Sequence, residues 1–119
     1  NLINFGLNDI VYDITNVKKE EDLIIITWTP KEKFKQNFGR IITSKKDNNL
    51  HGVVIYNKDD VLVSKQIFEQ YVRIGNIDFP SKITQIQYSS GGESYQLTEY
   101  KNIKLNETEK NFYYNFILK

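Results

Sequence analysis

Apolar and polar residues alternate along most of this chain, and such alternation predicts β-strands that turn one face toward a core. The strongest run, residues 23–29, is apolar on both faces, as in a strand that lies between two others. Trp28 ends this run on the same face as Ile24 and Ile26. We therefore expect Trp28, the only tryptophan, to lie in the core and not in a binding site. A first strand is predicted over residues 9–14.

One helix is predicted directly after the residue 23–29 strand. Thr29 is a suitable N-cap, a proline follows at the first helical position, and Glu32 stands three residues after the cap. This spacing is that of a capping box, in which the cap and Glu side chains satisfy each other's free backbone donors. Phe34 and Phe38 would share one helical face, and Gly39 is placed to end the helix.

Two polar segments, residues 57–60 and 89–92, each lie between strand-like runs and predict hairpin turns. Residues 64–74 fit a helical stripe and a strand equally well, so both interpretations remain open. Residues 106–116 begin with a possible helix cap, but aromatic and polar residues alternate toward the C-terminus. That alternation favours a closing strand.

Together these elements predict an all-β fold, an immunoglobulin or fibronectin type III-like β-sandwich with one short helix. The alternative is an α+β fold with helices at residues 64–74 and 106–116. No linker or internal repeat interrupts the chain, so residues 1–119 are predicted to form a single domain. Because the chain contains no methionine, not even at its start, we expect that it was excised from a larger protein.

A local resemblance supports the sandwich. The segment from Ile10 through residues 22–30, DLIIITWTP, resembles the first two strands of a fibronectin type III domain, where an inward Trp closes the second strand just before a Pro. Residues 90–94, SGGES, resemble the last loop of that family. The chain then continues well past this loop, where the family needs only one more strand. The resemblance therefore implies an architecture and not membership of the family.

Composition narrows the possible partners. Ile, Tyr and Phe dominate the apolar residues and Ala is absent, a composition that favours strands. Ile and Tyr also have A/T-rich codons, so their excess suggests an organism with an A/T-rich genome. The net charge is +1 and Arg is scarce, which argues against a nucleic-acid partner. The chain has no Cys and no apolar run that could span a membrane, so we expect neither disulfides nor membrane insertion.

Candidate catalytic groups are sparse. His51 is the only histidine, and nothing that resembles a nucleophile elbow surrounds any serine. The adjacent Asp59 and Asp60 could contribute oxygen ligands to a Ca²⁺ site, but neighbouring aspartates between two strands are typical turn residues. We therefore predict no catalytic residue, no metal site and no cofactor.

An excess of tyrosine in the C-terminal third provides the candidate binding residues, which are Tyr95, Tyr100 and Tyr113. Exposed tyrosines supply rigid contact area at a low entropic cost. We expect a non-catalytic binding or spacer module of a larger bacterial surface or secreted protein, located outside the cell or at its surface. Its partner would be a protein, a glycan or neighbouring domains. The alternatives are a small enzyme or accessory domain that completes an active site, and a structural subunit of a phage or secretion assembly.

Overall fold

The computed structural model describes residues 9–101, which form an antiparallel meander of seven strands. Each strand is hydrogen-bonded to the next one along the chain, so the order in the sheet is the order in the sequence. The only helical element in this range is a single 3₁₀ turn, Glu32–Phe34. The strands are β1 (Tyr12–Glu20), β2 (Leu23–Pro30), β3 (Ile41–Lys46), β4 (Asn49–Tyr56), β5 (Leu62–Ile74), β6 (Ile77–Ser89) and β7 (Gly92–Glu99).

Tight turns explain why consecutive strands pair. Asp47 and Asn48 both have positive φ, 53° and 66°. Two such residues make a type I′ turn, whose twist matches that of the strands it joins. Lys46 and Asn49 form the closing pair of this hairpin between β3 and β4. The connection from β5 to β6 is equally short and contains Gly75 with a φ of 61°.

The all-β prediction is confirmed, whereas the immunoglobulin or fibronectin type III-like sandwich is not. Within residues 9–101 all strands belong to one sheet, and no second sheet faces it. A sandwich of that kind needs connections that pass from one sheet to the other. Here every connection leads to the adjacent strand. Both predicted hairpins are present, as the β4–β5 and β6–β7 pairs.

The predicted helix after β2 is reduced to the single 3₁₀ turn. Thr29 belongs to β2, where it pairs with Asp13 of β1, and its hydroxyl oxygen lies 2.7 Å from Thr15 Oγ1. A side chain engaged in this way does not cap the segment that follows. Lys31 occupies the N-cap position in an extended conformation, with φ −63° and ψ 157°, and makes no side-chain cap.

Residues 64–74 are strand, because all of them fall within β5. The first helix of the α+β alternative is therefore wrong. β5 pairs with β4 on one side and with β6 on the other, and two hydrogen-bonded ladders outweigh a weak helical pattern. Residues 106–116, for which a helix and a closing strand were the two interpretations, lie outside the described residues.

The core lies on one face of β2 and β3. Trp28 is only 1% exposed, and the neighbouring side chains Ile26 and Ile41 are also buried. The prediction that Trp28 belongs to the core is thus confirmed. Further side chains, all partly buried, pack against this cluster from three strands: Tyr12, Ile24, Val53 and Ile55.

One buried hydrogen bond completes this core. The indole N–H of Trp28 donates to Thr43 Oγ1 over 2.9 Å, and Thr43 is itself buried. A buried N–H without an acceptor costs about 1–3 kcal/mol, so the hydroxyl of Thr43 makes this site tolerable for tryptophan. Across residues 9–101 every buried side-chain nitrogen and oxygen atom has a hydrogen-bond partner.

We expect Thr43→Val, which keeps the side-chain shape but removes the acceptor, to lower the free energy of unfolding by about 1–3 kcal/mol. Urea unfolding followed by circular dichroism measures this loss. Thr84→Val, on the half-buried surface of β6, serves as the control and should change stability by about 0.5 kcal/mol or less.

A double variant tests whether Trp28 and Thr43 stabilise the fold together. In Trp28→Phe/Thr43→Val the loss of unfolding free energy should be smaller than the sum of the losses in the two single variants. If the losses of the two single variants simply add up in the double variant, the hydrogen bond between Trp28 and Thr43 does not contribute to stability.

Candidate functional site

A cleft opens at one end of the sheet, where the loop of residues 31–40 lies against the β4–β5 hairpin. Its volume is about 420 Å³, and we call it the end cleft. Two of its residues, Tyr12 and Ile55, also pack against the buried Trp28 cluster, so the cleft borders the core. Its lining combines apolar and polar side chains: Tyr12, Phe38, Ile55 and Val63 with Asn37, Asn57, Lys58 and Asp59.

Aromatic rings form one wall of the end cleft. The Phe34 and Phe38 rings meet edge to face with centroids 6.3 Å apart, and the Phe38 and Tyr12 centroids are also 6.3 Å apart. Burial raises the pKa of Tyr12 above the ordinary tyrosine value. Phe38 nevertheless remains 43% exposed. An apolar ring therefore faces water at the cleft.

Gly39 permits the close approach of the loop to the hairpin. A Cβ atom at this position would collide with the carbonyl oxygens of Tyr56 and Asn57. The backbones are joined beside it by a hydrogen bond from the Tyr56 N–H to the carbonyl oxygen of Arg40, 3.0 Å long. Phe38 is thus held at the cleft by a backbone crossing that only glycine allows.

Arg40 binds the hairpin next to this crossing. Its guanidinium lies over the Tyr56 ring, 3.8 Å from the centroid, and its Nε donates to Asp60 Oδ1 over 2.7 Å. The hydrogen bond with Asp60 raises the pKa of Arg40. Because the pair is partly exposed, its main effect is to orient the two side chains, with little stabilisation.

Asn57 shapes the turn of the hairpin. Its Oδ1 accepts hydrogen bonds from the backbone N–H groups of Asp59 and Val61, at 2.9 and 3.0 Å, which is the pattern of an Asx turn. Asp60 has a positive φ of 61°. Asp59 and Asp60 are therefore turn residues, as expected. In the part of the chain that the structure describes, no group of three or more His, Cys, Asp or Glu side chains could hold a metal ion.

His51 lines a separate, smaller pocket of about 250 Å³ together with Asp47, Glu69 and Tyr71. The enzyme alternative requires a pocket that gathers the histidine with carboxylates, and this pocket does so. However, no hydrogen bond or ion pair within residues 9–101 joins His51 to Asp47 or Glu69. Tyr71 instead donates its hydroxyl proton to the carbonyl oxygen of Leu50 over 2.5 Å. The groups are not arranged as an acid–base relay.

Of the three predicted binding tyrosines, the structure describes Tyr95 and Tyr100. Tyr95 lies on β7 and is 70% exposed, and its hydroxyl donates to Glu93 Oε2 over 3.0 Å. That hydrogen bond raises the pKa of Tyr95. Tyr100 follows β7, is partly buried, and donates its backbone N–H to Ser81 O over 2.8 Å. Tyr113 lies outside the described residues. A binding role for these tyrosines stays a prediction.

Sequence reasoning missed the end cleft. The sequence pattern places Phe34, Phe38 and Gly39 in a helix. In the structure Phe38 lines the cleft, the Phe34 ring packs against Phe38, and Gly39 lies at the crossing of loop and hairpin. The sequence feature that could have indicated the cleft is the presence of two aromatic residues and a glycine in the connection between β2 and β3. Nothing in the sequence links that connection to the distant Asn57 turn.

No family model and no curated protein matches the sequence. Two solved bacterial structures are similar in fold. One is a LolA superfamily protein of Nitrosomonas europaea, with a TM-score of 0.55 and 14% sequence identity over 84% of this chain and 46% of that one. The other, from Vibrio parahaemolyticus, is a "putative outer membrane lipoprotein-sorting protein domain", with a TM-score of 0.58 and 13% identity over 91% of this chain and 48% of that one.

These similarities concern the fold alone, because the sequence identities are so low. The open antiparallel sheet of residues 9–101 is similar in fold to both structures, and this chain spans just under half the length of either one. A search of the described residues for a helix long and apolar enough to cross a membrane finds none.

We expect Gly39→Ala to lower the free energy of unfolding by about 1–3 kcal/mol or more, because its methyl group would displace the hairpin backbone. Denaturant unfolding tests this. Gly91→Ala is a matched control, since a Cβ there meets only Ser89 Oγ at 3.9 Å, an ordinary contact. In that control the free energy of unfolding should fall by about 0.5 kcal/mol or less. Equal stabilities of the two variants would show that the crossing at Gly39 is not tight.

A pH dependence follows from Tyr71. Burial, with a smaller effect from the charge of Asp78, raises the pKa of Tyr71 to about 12. The folded protein then keeps a proton that an unfolded tyrosine loses near pH 10. Stability should therefore fall as the pH rises from about 10 toward 12, and Tyr71→Phe should remove this part of the fall. Ultraviolet titration of tyrosinate in both proteins should show a difference centred near pH 12, and a difference centred near pH 10 would refute the assignment.

Proposed function

We propose that this domain is a non-catalytic module of the bacterial cell envelope that binds an apolar group, such as the acyl chain of a lipoprotein, in the end cleft. The observation that carries the proposal is the exposed Phe38 ring, held against Tyr12 in an apolar cleft at the end of a LolA-like sheet. The name of the Vibrio parahaemolyticus domain, which refers to lipoprotein sorting, supports this class of ligand.

The size and chemistry of the cleft suit such a ligand. A volume of about 420 Å³ lies within the ordinary range for small-molecule sites, and the apolar side chains lie beside a few polar groups that can orient a ligand. Each methylene group that leaves water contributes about 0.8 kcal/mol. Because Gly39 and Arg40 fix the loop that carries Phe38, the wall is formed before a ligand arrives, which reduces the entropic cost of binding.

A protein or glycan partner is a second candidate, and β7 is the observation that favours it. Tyr95 and Leu97 are exposed by 70% and 56% on this strand, which forms one edge of the sheet. An exposed tyrosine and leucine on a strand that lies, within residues 9–101, at the edge of the sheet suit a partner that adds a strand or covers this surface. A location outside the cell or at its surface fits either candidate.

Titration with dodecyl maltoside below its micelle concentration tests the cleft. We expect saturable one-to-one binding in calorimetry, with affinity falling about fourfold for each methylene removed from the chain. Phe38→Asp, which places a charge in the cleft, should weaken binding by about tenfold or more.

The matched control is Leu97→Asp, which introduces the same charge at an exposed residue of β7 and should leave the affinity unchanged. Circular dichroism verifies that both variants are folded. Absence of saturable binding, or equal weakening by both substitutions, would rule out the end cleft as the acyl site.

A further inference from the structure

A second pocket, of about 220 Å³, adjoins the end cleft. The two share Phe38, Gly39, Asn57 and Lys58 in their linings, so the wall between them is the crossing of loop and hairpin. The second pocket differs in its charge. We call it the basic pocket, because it is lined by the cationic side chains of Lys35, Arg40 and Lys58 and by a single carboxylate, that of Asp60.

The charges around the basic pocket are unequally engaged. Asp60 is bound by Arg40 Nε at 2.7 Å. The two lysines have only long and exposed ion pairs: Lys35 Nζ is 3.5 Å from Glu32 Oε2, and Lys58 Nζ is 3.7 Å from Asp59 Oδ1. Glu32 and Asp59 do not line the pocket. Exposed pairs of this kind are weak, so both ammonium groups can turn to a stronger anionic partner.

We propose that the ligand of this site is an anionic amphiphile, whose chain occupies the end cleft and whose phosphate or carboxylate head group is bound at the basic pocket by Lys35 and Lys58. This inference rests on the proposed function and specifies its ligand class. Lys58 borders both cavities, so it stands where the polar and apolar parts of such a molecule meet. Arg40, fixed by Asp60 and the Tyr56 ring, supplies a rigid positive wall.

The test compares dodecyl phosphate with dodecyl maltoside, which carry the same chain on an anionic and on a neutral head group. A lysine near a bound anion contributes about fivefold in affinity at moderate salt. We therefore expect Lys35→Gln, at a residue that lines the basic pocket and not the end cleft, to weaken dodecyl phosphate binding about fivefold and to leave dodecyl maltoside binding unchanged. Lys35→Gln/Lys58→Gln should weaken dodecyl phosphate binding by about 25-fold. The preference of the unmodified protein for dodecyl phosphate should also shrink as salt is raised.

Lys65→Gln/Lys82→Gln is the matched control, because it removes the same charge from β5 and β6 at residues that line neither cavity. It should leave both affinities unchanged. Equal loss of dodecyl phosphate affinity in the two double variants would overturn the inference, since net charge alone would then explain it.

The remaining outcomes separate the two proposals. If both amphiphiles bind equally well and Phe38→Asp weakens both, the cleft binds chains but the basic pocket has no role, and the inference fails alone. If neither amphiphile binds, the proposed function itself fails. If inorganic phosphate binds as tightly as dodecyl phosphate, the pocket is a free-phosphate site and the amphiphile is refuted.

Discussion

The burial of one tryptophan in a one-layer sheet is the constraint on which the rest of this structure depends. Most side chains of such a sheet remain partly exposed to water, and few of residues 9–101 are fully buried. Trp28 supplies the largest apolar surface among them, and Thr43 satisfies its N–H. β2 and β3 must therefore remain in register, because a slip of β3 by one residue would turn Thr43 to the face opposite Trp28.

The end cleft is a by-product of how this core is closed. Tyr12 and Ile55 pack against the core and also line the cleft. The loop that follows β2 then crosses the β4–β5 hairpin at Gly39, next to Phe38, which lines the cavity. Apolar surface is left open at a place where the backbone is well anchored, which is the arrangement expected of a binding site on a rigid scaffold.

Local patterns predicted the elements of this fold better than their assembly. Alternation identified β2 and the burial of Trp28, and polar segments identified two hairpins, because these signals depend on neighbouring residues. The same alternation does not say which strands pair, so one sheet and a sandwich were indistinguishable. The capping-box pattern at Thr29 was overridden by pairing with β1, and residues 64–74 followed their two neighbouring strands. The end cleft joins residues 12, 38 and 57, a proximity that no local pattern encodes.

The meander also has a consequence for how the chain acquires its structure. Within residues 9–101 every strand pairs only with its neighbours in sequence, so no strand pair needs a long connection, which favours rapid folding. Trp28, Thr43 and Val53 lie on β2, β3 and β4. A chain growing from its N-terminus on the ribosome can therefore assemble its tryptophan core once β4 has emerged. β5, β6 and β7 can then pair in turn with the edge of the sheet that β1 to β4 have formed.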